Sequence, residues 1–271
     1  MLRLAIVVCV LATAGAGVQT KKTPPKAPAA APAKAPAPAP APKKEMAVPF
    51  RPGEVLEYDI GWSSYVTAGT ATVTVKEKKP SYNSVAYYVV AEGRPTPLLS
   101  KLYTLYYKAD SLVDAYSLLP QRGSLYVEEG KRRRMKTTTF NQPGKQAKYE
   151  IQTATKIEKT MAIPAFTQDS LSALYVLRSI PMKAGDKFNM PVADGGTVYT
   201  VQMQVQGVES VKTPFATMNA LKIVPVIAVK GATPPRGIVI WLSDDARRLP
   251  LKIEAQLAVG KFVVALRKVS G

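Results

Sequence analysis

The chain predicts an all-β fold: a mainly antiparallel, curved sheet of about a dozen strands, closed or nearly closed like a barrel, with one packed α-helix. Three observations carry this. Segments alternating with period two fill Phe50 to Ile163 and again Lys187 to Val269. Between them, FTQDSLSALYVLRSI at 166–180 is the one stretch with helical spacing, and Leu171, Leu174, Val176, Leu177 and Ile180 gather on one side. Thr167 or Asp169 can cap its start and Pro181 stops it. Open sheets this wide curl, so the helix near 167–180 is expected to pack on, or plug, the bend.

The first part of the chain is not fold. Residues 1–19 read as a secretory signal: Arg3, an apolar run from Leu4 to Ala12, then Ala14-Gly15-Ala16 for cleavage. The apolar run ends by about Val18, short of the ~20 residues a spanning helix needs. Cys9 does not read as a lipidation site, because Val7 and Val8 precede it where small residues are required. Residues 20–48 are almost entirely Pro, Ala and Lys, which excludes sheet and favours an extended, disordered linker reaching roughly 80 Å. Residues 49–271 then form a single β-rich domain.

Within that domain, Val55–Trp62 and 68–75 make a first hairpin, in which Gly61 and Gly69 permit a bulge and close backbone approach. Glu57 and Asp59 share one face, and with Glu54 they read as a solvated acidic face. Ser84 to Ala91 is apolar enough to be buried on both sides. Leu98 to Tyr107 fits a short helix leading into a strand as well as it fits a strand. Lys131-Arg132-Arg133-Arg134 opens a strand through Phe140 and reads as a charged edge that discourages sheet-to-sheet association, with phosphate or anionic-surface binding as the functional alternative. The Asn-Gln-Pro-Gly turn at 141–144 leads to a strand over 146–157. After the helix, strands are expected at 188–192, 197–208, 220–229, 238–242, 249–257 and 261–269.

Composition narrows the chemistry. The chain has no histidine, and its single cysteine, Cys9, lies in the signal, so neither a disulfide nor a His- or Cys-based catalytic or metal site is available. No metal, cofactor or catalytic residue is assigned. The sharpest polar cluster, Ser243-Asp244-Asp245, reads as a turn balanced by Arg247 and Arg248, with a carboxylate-based hydrolase as the remote alternative. The chain carries a formal +18, of which about +12 belongs to the domain. Outside the cytoplasm, that charge suits anionic lipid or an acidic envelope polymer rather than nucleic acid. Tyrosine is concentrated in the first half, and Tyr87, Tyr103 and Tyr106, with Trp241, are the candidate ligand-cavity residues. An outer-membrane barrel is not expected, because charges interrupt the strands and aromatic girdles are absent.

PGEVLEYDIGW with AGTATVTV, then TQDSLSALYVLR, then WLSDDARRLPLKIEAQLAVGKFVVAL occur in the order found in the exported bacterial family called domain of unknown function 3108. The chain resembles that family from about Phe50 to Leu266. The resemblance implies a predominantly β protein of the periplasm or cell envelope, with no established activity and no catalytic residues to transfer. The expected function is therefore non-catalytic binding of an apolar or lipid-like ligand inside the curved sheet. The alternative is a structural module that docks on cell wall or an envelope partner through the cationic arm.

Overall fold

The computed structural model describes residues 44–62, 66–153, 156–227, 237–257 and 260–271, so the segment read as a signal and most of that read as a linker lie outside the described residues. The elements are β1 (Val55–Trp62), β2 (Val66–Ser81), β3 (Ser84–Pro95), α1 (Pro97–Leu102), β4 (Leu105–Asp114), β5 (Pro120–Glu129), β6 (Arg132–Asn141), β7 (Gln146–Gln152) and β8 (Lys156–Ala162). Then follow α2 (Ser170–Ser179), β9 (Lys187–Asp194), β10 (Thr197–Lys212), β11 (Thr217–Ile227), β12 (Ile238–Ser243), β13 (Pro250–Leu257) and β14 (Gly260–Ser270). The strands form one antiparallel sheet in the order β8-β7-β6-β5-β4-β3-β2-β1-β14-β13-β12-β11-β10-β9. Two consecutive meanders are thus joined where the first strand pairs with the last.

Alternation gives the sheet a dry face and a wet one. On β1, Leu56, Tyr58 and Ile60 are buried, while Glu57 and Asp59 point outward to Arg267 at 2.8 and 3.4 Å. Bulges at Glu57/Tyr58, Ile60/Gly61, Val75/Glu77, Leu112/Val113, Val205/Gly207 and Trp241/Leu242 bend the strands toward the dry face. A side chain at Gly69 would stand 2.3 Å from the Arg94 carbonyl, so glycine is required where β2 meets β3. The β2–β3 turn is closed by Tyr82 and Asn83, both at positive φ (47° and 59°), as a two-residue turn matched to strand twist demands.

Curvature brings the two ends of the sheet together. Phe140, Tyr149, Met161 and Ile163 pack with Ala193, and the Lys159 Nζ donates to the Gly196 carbonyl at 2.7 Å. The free edge of β9 is covered by Gln168, whose amide donates to Pro191 O and whose carbonyl accepts from Ala193 N. The barrel-like form is therefore that of an open sheet curled until its margins meet around α2.

α2 has no exposed residue: Leu171, Ser172, Ala173, Tyr175, Leu177 and Arg178 are buried, and Ser170, Leu174, Val176 and Ser179 are partly buried. Asp169 is its N-cap: Oδ1 accepts from the Leu171 and Ser172 amides, and Ser172 Oγ accepts from the Asp169 amide. Thr167, the other candidate cap, instead donates to Pro164 O. At the other end Arg178, 1 % exposed, makes a two-pronged ion pair with Glu54 at 2.6 and 2.9 Å and lies over the rings of Phe50 and Tyr175.

Three expectations are corrected here. Glu54 does not belong to the solvated acidic face of Glu57 and Asp59; it is buried as the counter-ion of Arg178. The strand expected over 146–157 is two strands, β7 and β8. Lys131 to Arg134 do not guard an edge, since β6 lies between β5 and β7; the edge is β8, where Lys156, Glu158 and Lys159 are exposed. The segment from Leu98 resolves into α1 followed by β4.

Replacing Arg178 by Met strands a buried carboxylate, so urea unfolding should show a loss of about 3–5 kcal/mol. Arg178→Met combined with Glu54→Leu should recover most of it. Equal losses in the single and double variants would show that the loss does not come from the stranded carboxylate.

Candidate functional site

Between α2 and the concave face lies an apolar cavity of about 200 Å³, partly open at one end of the strands. Every strand except β6, β7 and β8 contributes to it. One wall is built from small residues, Ala71, Ala91, Gly93 and Ala109 on β2 to β4; the other is built from Met203, Ile227, Ile240, Ile253 and Val264 on β10 to β14. Leu171, Leu174 and Leu177 of α2 form the floor. The small residues make the space: larger side chains at the same inward positions would fill it. Tyr58, Glu92, Tyr107, Ser170 and Asp194 are the polar residues of the lining, and among the described residues no lysine or arginine reaches it.

The aromatic residues singled out from sequence are placed elsewhere. Tyr87 is buried but packs edge-on to Phe50, with centroids 5.2 Å apart, and does not line the cavity. Tyr106 points to the opposite face, where its hydroxyl donates to Glu92 and its ring lies under Arg94. Its neighbour Tyr107 lines the cavity instead, as strict alternation requires. Tyr103 is half exposed at the end of α1. Trp241 sits on the outer face of β12, with the Lys252 ammonium 4.1 Å above its ring and its indole N–H donated to Glu209 at 2.6 Å. Of the tyrosines in the first half, Tyr58 and Tyr107 are the ones that reach the cavity.

Lys131, Arg132 and Arg133 are exposed at the β5–β6 turn, and Arg134 is half-buried. Arg133 and Arg134 are held by Glu128 and Glu129, each at 3.4 Å. Ser243, Asp244 and Asp245 make the turn between β12 and β13. Asp245 accepts from Ser243 Oγ and from Arg247, and Asp244 pairs with Arg248 at 3.0 Å. Both carboxylates are thus occupied by cations of their own turn. Among the described residues, no group of three or more His, Cys, Asp or Glu side chains is placed to hold a metal ion.

A polar cleft of about 40 Å³ adjoins the cavity, lined by Asp110, Ser124, Lys136, Asp169 and Asp194. Asp110 is satisfied by Arg122 and Ser124, and Asp169 Oδ2 accepts from Ser111 Oγ at 2.6 Å. A side chain at Gly123 would stand 2.7 Å from that same Oδ2, so glycine there lets the cap sit against β5. Burial pushes the Asp169 carboxyl up to about 6, against the pull of its hydrogen bonds, and also raises Asp194, opposed by Lys136.

The architecture defines the class as a barrel-like β-protein wrapped on one buried helix. The chain belongs to the DUF3108 family of proteins of unknown function, whose model matches residues 57–267. It is similar in fold to a β-barrel-like DUF1849 protein from Brucella abortus, with a TM-score of 0.56 at 9 % identity over 83 % of this chain and 99 % of that one. Weaker matches are a Bacteroides fragilis protein of YmcC-like fold assigned as exported (TM-score 0.35, 10 % identity, 84 % and 100 % coverage) and a Parabacteroides distasonis protein assigned as a lipoprotein (0.33, 10 %, 84 % and 100 %). No curated protein matches the sequence significantly. No helix among the described residues is long and apolar enough to cross a membrane.

Asp169 also generates a pH signature. Its folded value lies above the unfolded one, so the folded state binds the extra proton between about pH 4 and 6, and this contribution to stability grows as pH falls through that window. Asp169→Asn keeps the acceptor for the two amides and removes the titration. Relative to that variant, wild type should lose stability on going from pH 4 to 7, by at most about 3 kcal/mol. Parallel unfolding curves across that range would show that Asp169 is not the titrating group.

Proposed function

We propose that this chain is an exported cell-envelope protein that binds, without catalysis, the apolar end of a single-chain amphiphile. The cavity carries the reading. At about 200 Å³ it exceeds the ~150 Å³ apolar hole that takes up benzene in an engineered core, yet falls below the roughly 300–1,000 Å³ typical of drug-sized sites. That size suits one chain end rather than the two tails of a phospholipid. Because no cation among the described residues lines the cavity and the Glu92 carboxylate is turned to the opposite face, the polar head stays outside, in solvent. The signal-like residues 1–19 support export. The absence of histidine and the pairing of Asp244 and Asp245 within their own turn support a binding role over hydrolysis.

Native mass spectrometry of protein purified without detergent tests this directly. The expected result is an adduct of single-chain mass, lost on solvent extraction, together with saturable uptake of a fluorescent fatty-chain probe. Ala109→Phe projects a ring into the cavity and should reduce probe uptake roughly tenfold or more while leaving the melting temperature unchanged or raised. Undiminished uptake by a folded Ala109→Phe protein would remove the cavity from the explanation.

A further inference from the structure

We infer that the end of the sheet at the cavity mouth is a docking surface for an anionic lipid bilayer. This goes beyond the cavity reading and can fail separately from it. The surface is centred on α1, a six-residue helix none of whose side chains is buried. Thr96 caps it and Leu99 packs against the core, which fixes it as a knuckle. Leu98 and Leu102 project from it, 72 % and 78 % exposed, and Tyr103 follows at 49 %. Single exposed leucines are ordinary; a rigid cluster of three large apolar side chains is not.

Cations surround the cluster. The Gly130 amide donates to Thr104 O at 2.8 Å, and a side chain at Gly130 would stand 3.4 Å from the Tyr103 ring, so the knuckle is tied to the turn that begins the basic run. Lys131 and Arg132, next in the chain, are exposed and, like Lys101 on α1, pair with no carboxylate among the described residues. Trp62 lies partly exposed on the same rim, two strands away. An apolar knob ringed by unpaired cations matches the boundary between anionic headgroups and acyl chains, where the knob inserts and each cation gains from the surface potential. Nucleic acid would use the cations but not the leucines.

The location gives this surface a purpose. Gly93 and Tyr107, both lining the cavity, form the last pair of β3 and β4 before the chain enters α1. A bilayer touching Leu98 and Leu102 therefore lies beside the mouth through which a chain would enter.

The test uses the full chain with vesicles containing phosphatidylglycerol and with vesicles of phosphatidylcholine alone. Since the Lys-rich segment at 20–48 is itself drawn to anionic vesicles, insertion is read at the knuckle. Leu102→Trp should give emission quenched by brominated lipid in the anionic vesicles and much less in the neutral ones, beyond the signal of the native tryptophans. Leu98→Glu with Leu102→Glu, and separately Lys131→Glu with Arg132→Glu, should weaken vesicle binding by roughly tenfold or more. Uptake of the fluorescent chain from solution should be unchanged in both double variants, so a failed cavity and a failed surface leave different patterns. An unquenched tryptophan at 102, equal quenching in both vesicle types, or quenching of the Leu102→Trp protein undiminished by Lys131→Glu with Arg132→Glu would each overturn the assignment.

Discussion

A helix with no exposed residue has few places to send its unpaired ends, and this constraint organises the molecule. The start of α2 is capped by Asp169, the residue directly before it, and its last turn carries Arg178, whose partner comes from far away in the chain. At the start, Asp169 satisfies the free amides and is itself received by Ser111 and by the bare backbone at Gly123. At the finish, Arg178 is met by Glu54, 124 residues earlier, at the point where the chain enters the sheet. Two desolvated ionic groups are costly individually. Placed at opposite ends of the same helix, and held by Ser111 and by Glu54, they fix its position and depth inside the curl.

That placement explains the cavity. A helix held at both ends cannot settle deeper toward β2, β3 and β4, where Ala71, Ala91, Gly93 and Ala109 face inward. The opposite wall carries the branched and long side chains, so packing is asymmetric about the helix axis. Natural interiors close gaps of this size unless something resists collapse. Here the resistance comes from hydrogen bonds and an ion pair at the helix ends, groups that touch the cavity little or not at all.

Much of the fold was legible because strand alternation and helical spacing are local. β1, β9 to β14 and α2 lie close to where periodicity puts them, and Pro181 ends the helix as read. The site was less legible. Pairing order is non-local, so nothing near Lys131 reveals that β6 is interior, and nothing near Glu54 announces a partner in α2. Tyr106 against Tyr107 is a one-residue question of facing, which the uncertain helix-to-strand passage after Leu98 left open. The signal that did exist was small residues recurring at alternate positions, Ala71 on β2, then Ala91 and Gly93 on β3, opposite bulky aliphatics on β10 to β14. Aromatic residues drew the eye because they usually mark pockets; here the pocket is made by what is missing from the side chains.

The seam between β1 and β14 has a temporal consequence. Each meander consists of neighbouring hairpins that need only nearby residues and can form as the chain emerges from synthesis or translocation. Their union waits for β14, because Val55 pairs with Ser270 and the Arg51 guanidinium reaches the Gly271 carbonyl. Until then, β1 has one unpaired edge and the helix has no complete wall around it. The chain is thus obliged to mature as a whole, and an interruption late in its emergence leaves two half-sheets with adhesive margins rather than a smaller working version of the protein.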